Sequence, residues 1–287
     1  MKKYLKLLRV HHYIKNFLIF GALACSGNFF CKDKLITTIL GFISFCLISS
    51  VIYIINDIND IEKDKLHPTK KNRPLASGEI SKFNGIITAI IIATAGIIFN
   101  LSIFKISSSL LLLLYFVLNL GYSLGLKNIP IIDITILVSG FLIRVLYGAW
   151  ITNIDISNWL YLTVIAASFY FALGKRRNEL KKLKGAKTRK VLESYSEQFL
   201  DKNMYMCLTL TNAFYALWSM DKTTIAHYGN EYLIFTVPIV LLITMKYSMN
   251  IEGDSDGDPV EVLIHDKILI LLCLVFIITM FAILYLK

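Results

Sequence analysis

Asn56-Asp57-Ile58-Asn59-Asp60-Ile61-Glu62-Lys63-Asp64-Lys65-Leu66-His67-Pro68-Thr69-Lys70-Lys71-Asn72-Arg73-Pro74-Leu75-Ala76-Ser77-Gly78 follows without a break on the apolar run Leu35–Ile55. A run of that length crosses a bilayer as a helix, because the helix satisfies its own backbone hydrogen bonds where no water is present. Three carboxylates at spacings of three and four therefore leave the membrane together. On a helix Asp57, Asp60 and Asp64 share one face, within about a turn of each other. Like charges that close repel unless a cation sits among them, and hard oxygens in this arrangement suit Mg²⁺, which commonly bridges protein carboxylates to substrate phosphates. The competing reading is a solvated helix end, but acids at a helix C-terminus oppose the macrodipole. Asp57, Asp60 and Asp64 are the candidate metal ligands. Glu62 faces the other way, and Asn56 stands where it can hold a carboxylate or a metal-bound water.

Working outward, the whole chain has the composition of a membrane protein. Its 287 residues are 56% hydrophobic and only 17% charged, more apolar surface than a soluble domain of that size can bury. Apolar runs predict about nine spanning helices, at Asn16–Phe30, Leu35–Ile55, Phe83–Phe104, Ser107–Gly125, Pro130–Trp150, Trp159–Gly174, Met204–Met220, Tyr232–Met249 and Ile268–Leu286. Cationic residues fall almost entirely on one side of that arrangement: Lys2, Lys3, Lys6, Arg9, Lys15, the 57–82 loop, Lys127, the 175–203 loop and Lys267. The opposite side holds Lys32, Lys34, Lys105, Lys222 and Lys287. This asymmetry predicts an all-α, multi-pass protein of the bacterial-type inner (plasma) membrane, with the N-terminus and both long polar loops in the cytoplasm. No cleavable signal peptide is expected. The chain, 1–287, reads as a single membrane domain. Cys25, Cys31, Cys46, Cys207 and Cys273 form no CxxC pair and read as reduced thiols, with no zinc site. The net charge of +10 sits in the membrane-flanking loops, so no nucleic-acid partner is expected; the bilayer is the partner, and a homo-oligomer is allowed.

The basic half of the opening stretch has its own logic. His67, Lys70 and Arg73 follow the acids, with Pro68 and Pro74 restricting the backbone between them. A phosphorylated substrate bound through Mg²⁺ needs donors for the oxygens that the metal does not reach. Lys70 and Arg73 are the first choices, while Lys63, Lys65 and Lys71 are explained by topology alone. A second cluster, Tyr122 to Asp133, joins two spans through a short loop carrying Gly125, Lys127 and Pro130. Asp133 falls in a first helical turn, where the dipole favours a carboxylate, so capping competes with a role as a further metal ligand or substrate contact. Arg144 lies on the same helical face, roughly 16 Å deeper by the helical rise, and an intramembrane arginine calls for a carbonyl-rich or anionic partner. The third cluster is Lys175-Arg176-Arg177-Asn178-Glu179, at the end of a span, where cations at headgroup depth suit a lipid phosphate or simply set orientation. The segment 175–203 reads as a charged surface helix, and Glu252–Glu261 as a solvated loop that fails calcium-loop spacing.

Together these clusters resemble the UbiA superfamily of intramembrane prenyltransferases. The likeness rests on N-D-x-x-D-x-x-x-D at 56–64, H-P-x-K-x-x-R-P at 67–74 and the predicted spans, and it covers nearly the whole chain. It implies a UbiA-like helical bundle with a cytoplasm-facing active site and Mg²⁺ as cofactor. Ordinary members carry a second D-x-x-x-D motif at the end of the sixth span, where this chain has Lys175-Arg176-Arg177-Asn178-Glu179. Exchanging carboxylates for cations removes a second metal cradle and creates an anion site. The likeness therefore points to the members that transfer 5-phosphoribosyl from phosphoribosyl diphosphate (PRPP) to a decaprenyl-like polyprenyl phosphate lipid, in cell-envelope glycan synthesis. On that reading Asp57, Asp60, Lys127 and Asp133 are the candidate catalytic residues. Asn56, Asp64, His67, Lys70, Arg73, Tyr122, Arg144, Lys175, Arg176 and Glu179 are the candidate substrate-binding residues. The alternatives are a prenyltransferase acting on an aromatic or haem acceptor and, in another class, a transporter. A transporter is disfavoured because its polar residues belong near the midplane, whereas these charges crowd the cytoplasmic ends.

Overall fold

The computed structural model of the protein describes residues 2–66, 70–182, 190–253, 255 and 257–286, and the described residues are helical throughout their regular structure. The chain forms two compact units, Met1–Lys127 with Ile143–Asp155, and Asn128–Leu142 with Ile156–Lys287. In the first, α1 (Lys2–Leu7) leads through a 3₁₀ stretch (Val10–Phe20) and the single turn α2 (Gly21–Ala24) to α3 (Lys32–Asn59). Then come α4 (Ile61–Lys65), a 3₁₀ turn (Lys70–Asn72), α5 (Lys82–Ile103), α6 (Ile106–Leu124) and the later half of α7 (Ile132–Thr152).

Within this unit α3 is central. Of its most apolar stretch 61% is buried, against 17% for α5 and 22% for α6. The difference follows from side-chain size. Gly41, Ser44, Ser49 and Ser50 give α3 a small, buried surface that neighbours approach closely. α5 instead turns Ile90, Ile91, Ile97 and Ile98 outward, as a lipid-facing helix should. Phe45, Ile48 and Ile52 of α3 pack with Leu112 and Tyr115 of α6 and with Ile143 and Tyr147 of α7. The closest approach is at Gly148, where a Cβ would strike the backbone carbonyl of Ile19.

The second unit contains the first part of α7, α8 (Asn158–Lys182), a 3₁₀ turn (Lys190–Ser194), α9 (Glu197–Met220) and α10 (Lys222–Tyr228). A further 3₁₀ turn (Tyr232–Thr236), α11 (Val237–Glu252), α12 (Pro259–His265) and α13 (Lys267–Tyr285) complete it. α8 packs along α9. Leu173, Val191, Leu192, Leu200, Met204 and Ile251 form part of its core. Helix starts are capped as the sequence allows: Ser196 accepts from the Phe199 amide, and Asp266 from that of Leu269.

Among the described residues six helical segments are long and apolar enough to cross a membrane: Lys32–Asn59, Lys82–Ile103, Ile106–Leu124, Ile132–Thr152, Tyr232–Glu252 and Lys267–Tyr285. This is a multi-pass membrane protein, although three of the nine expected spans are not among those six. Residues 16–30 form a 3₁₀ stretch and one α-helical turn ending at Ala24, with Gly27 at φ +70° beyond it. α8 does not end at Gly174 as predicted but runs on through the charged residues to Lys182. α9 is diluted by Asp201, Lys202, Asn203, Thr209, Thr211 and Asn212.

Candidate functional site

The acidic ladder does not lie on one continuous helix. α3 ends at Asn59, Asp60 takes a non-helical φ of −102°, and α4 begins at Ile61. The break sends the three carboxylates two ways. Asp57 and Asp64, both buried, converge on Arg73, whose Nη1 lies 3.1 Å from Asp57 Oδ1 and 2.6 Å from Asp64 Oδ2. Asp60 faces Lys127, whose Nζ is 3.3 Å from its Oδ2, and Lys63 at 3.8 Å. Asp57, only 2% exposed, also accepts a hydrogen bond from Arg9. Arg9 counted in the sequence only as a topology marker. Its partner is 48 residues away, a separation at which no local spacing signals a pair.

The neighbours of this cluster are fixed by the ends of their own helices. Gly125, at φ +142°, terminates α6 and starts the turn that carries Lys127 back toward Asp60. Ser123 in the last turn of α6 donates to Asn56 Oδ1 at 2.5 Å, so Asn56 is held one residue before Asp57. Tyr122 and Lys70 are partly exposed, and His67 lies outside the described residues. Arg144 is buried inside the first unit. Its Nε donates to Asn16 Oδ1 at 2.8 Å and its Nη2 to the Tyr115 hydroxyl at 2.9 Å, and its guanidinium stacks 5.0 Å from the Phe45 ring.

Among the described residues no three His, Cys, Asp or Glu side chains converge tightly enough to hold a metal. The donor set at Asp57 and Asp64 nevertheless fits a divalent cation. One positively charged nitrogen already bridges two carboxylates from different sides, and Mg²⁺ is usually held by one or two carboxylates, with water and substrate phosphate completing its shell.

In the second unit a different charge cluster forms. Asp133 and Arg176 are both 0% exposed and pair through Nε–Oδ2 at 2.6 Å, while Arg176 Nη1 reaches Glu179 Oε2 at 2.6 Å. The Tyr195 hydroxyl donates to Asp133 Oδ1 at 2.6 Å and accepts from the Ile131 amide at 2.5 Å. Ile131 holds φ +69°, a costly conformation for a β-branched residue, and that hydrogen bond helps to pin it. Burial and the Asp133 carboxylate together push the Tyr195 phenol up to about 12. Tyr195 is absent from the sequence-derived candidates, although Val191 and Leu192 beside it, both fully buried, interrupt the charged segment and mark where it turns inward.

The cationic run of α8 is therefore engaged within the unit rather than displayed. Arg177 pairs with Asp201, Asn178 Nδ2 donates to the Ser255 hydroxyl at 2.9 Å, and Lys175 Nζ lies 3.1 Å from Asp258 Oδ2. The 252–261 region is accordingly not simply solvated: Gly257 and Asp258 are buried against α8. A Cβ at Gly257, which has φ +76°, would come within 2.8 Å of the Lys175 Cα. Lys175 is 31% exposed at its side chain, whereas Arg176 is enclosed.

The sequence comparisons agree with this architecture. The chain is 34% identical over 277 residues to decaprenyl-phosphate phosphoribosyltransferase of Corynebacterium glutamicum, covering 94% of this chain and 83% of that protein. It is 32% identical to the protein of the same name from Mycolicibacterium smegmatis, covering 98% and 92% respectively. In fold it is similar to a solved UbiA homologue from Archaeoglobus fulgidus, bound to GPP and Mg²⁺, with a TM-score of 0.71 at 20% identity, covering 98% of this chain and 99% of that one. The model of the UbiA prenyltransferase family matches residues 17–265, and the chain belongs to that family.

Proposed function

We propose that the protein transfers the 5-phosphoribosyl group of PRPP to a polyprenyl phosphate, releasing diphosphate, at the cytoplasmic face of the plasma membrane. The observation that carries this reading is the near full-length likeness to two decaprenyl-phosphate phosphoribosyltransferases. The geometry supports it. The Asp57–Asp64 pair with its bridging cation suits a diphosphate, and α8 carries the partly exposed Lys175 where a second acid pair would serve a second metal.

In this mechanism a phosphate oxygen of the lipid bonds to the anomeric carbon as the bond from that carbon to the diphosphate oxygen breaks. The nucleophile is already anionic, so no general base is needed. Electrostatic stabilisation and positioning supply most of the acceleration. Asp57 and Asp64 would hold Mg²⁺, which would supply charge neutralisation to the leaving diphosphate. Arg73 and Lys70 donate to its oxygens, and Lys127, fixed by Asp60, serves the 5-phosphate or the diphosphate. Asn56 (held by Ser123), Tyr122 and His67 orient the sugar. Lys175 receives the lipid phosphate. Arg176 acts through Asp133 and Glu179, fixing α8 within the second unit rather than touching substrate, and Arg144 supports the first unit from within. The isoprenoid chain lies along the apolar helices.

The test is donor choice in proteoliposomes. PRPP should be consumed only when polyprenyl phosphate and Mg²⁺ are both present, and Asp57→Asn should lose the reaction. Consumption of prenyl diphosphates with PRPP left untouched would replace this reading with ordinary prenyl transfer.

A further inference from the structure

Arg9, Arg73, Lys127 and Lys63 neutralise Asp57, Asp60 and Asp64, but they are not held alike. Arg9 sits at φ +51°, a left-handed conformation that a non-glycine residue rarely adopts. Its guanidinium lies 5.0 Å over the Tyr53 ring, and its side chain is 16% exposed. The backbone around it is sewn to α3. The Ser50 hydroxyl donates to the Leu8 carbonyl at 3.1 Å and lies 2.7 Å from the Tyr13 hydroxyl, and Asn16 reaches the hydroxyl of Ser49. Arg73 is different. It lies in the loop after the 3₁₀ turn, its side chain is 27% exposed, and one nitrogen alone spans the two carboxylates.

We propose that Arg9 is the permanent counter-ion of Asp57 and Arg73 an exchangeable one, leaving the Asp57–Asp64 pair to a divalent cation and turning to the diphosphate. The physical reason is charge balance. Asp57 and Asp64 need a cation between them at all times. A divalent ion entering that point competes with Arg73, and the charge of the diphosphate gives the displaced guanidinium a new partner suited to its planar fork. Arg9 remains on Asp57 in both states, since its stacked and stitched position offers it no second place. Arg9 is thus a positioning residue, and Arg73 links metal binding to diphosphate binding.

The inference rests on the proposed function only in that a diphosphate is bound, so inorganic diphosphate is the probe. Full-length protein in detergent is titrated with Mn²⁺ alone, read by electron paramagnetic resonance, and then with diphosphate at saturating Mn²⁺. Arg73→Met should tighten Mn²⁺ alone by about tenfold and weaken diphosphate by about tenfold, within the usual range of coupling between sites. A merely structural role would weaken both ligands, so the opposite signs are diagnostic. Arg73→Lys should show the same signs at smaller size, because an ammonium replaces the fork with a point charge. Arg9→Met should leave diphosphate affinity within about threefold, well below the usual coupling range. Weaker Mn²⁺ binding in both Arg73 variants, unchanged diphosphate affinity in both, or a loss in Arg9→Met equal to that in Arg73→Met would overturn the proposal. If PRPP transfer is absent but these signs hold, the functional reading falls and this one stands.

Discussion

Arg176→Met tests the second unit most sharply. Arg176 and Asp133 are both fully enclosed, and the arginine makes two charge-assisted hydrogen bonds of 2.6 Å, to Asp133 and Glu179. Methionine keeps most of the volume and removes the charge. Asp133 would then remain buried with the Tyr195 hydroxyl at 2.6 Å, one neutral donor for a full negative charge. Breaking a buried pair in this way costs about 3–5 kcal/mol, which lowers the folded-to-unfolded ratio by roughly two to three and a half powers of ten at about 1.4 kcal/mol each. Replacing both partners removes the stranded charge, so Asp133→Leu combined with Arg176→Met should recover at least about half of the loss. Unfolding in detergent by titration with sodium dodecyl sulfate, followed by tryptophan fluorescence, measures all four corners of the cycle. A loss below about 1 kcal/mol for Arg176→Met, the level of an exposed ion pair, would refute the argument. So would strict additivity in the double variant.

Other outcomes follow from the same contacts. Tyr195→Phe removes the donor to Asp133 and the acceptor for the Ile131 amide, and should cost about 1–3 kcal/mol in the same titration. With its phenol pushed up to about 12, the Tyr195 contribution is complete below the ordinary tyrosine value near 10 and is lost as pH rises from there toward 12, which ultraviolet titration of wild type against Tyr195→Phe would follow. Gly148→Ala drives a Cβ into the Ile19 carbonyl, whereas Gly21→Ala meets nothing within 4 Å; the first should lose about 1–3 kcal/mol and the second should be neutral or stabilising. Removing divalent cations with a chelator should abolish transfer, and added Mg²⁺ should restore it; full activity in the chelator would exclude the metal role given to Asp57 and Asp64.

How much of this was legible in the sequence depends on distance along the chain. The apolar run into Asp57, Asp60 and Asp64 is local, so both a membrane helix and a cation-binding acid cluster can be read from spacing alone. The break at Asp60 is less visible, since no proline or glycine marks it, and it sends Asp60 toward Lys127 while Asp57 and Asp64 meet at Arg73. Arg9 is hidden by its role as an orientation signal: a cation near the membrane surface reads the same whether it faces lipid headgroups or a buried aspartate. The same ambiguity covers Arg176, whose sequence neighbourhood suits a lipid phosphate but whose side chain is enclosed. Asp258 shows the converse. Its loop reads as solvated because it is acidic and glycine-rich, yet Gly257 permits the close approach that brings Asp258 to Lys175.

The most direct test of the central claim is product analysis after incubating purified protein in liposomes with polyprenyl phosphate, Mg²⁺ and PRPP labelled in its 5-phosphate. The account predicts label in the lipid fraction, one diphosphate released per labelled lipid, and loss of both in Asp57→Asn. Wild-type protein that leaves all label in water-soluble PRPP, while transferring a prenyl group from a prenyl diphosphate, would contradict it.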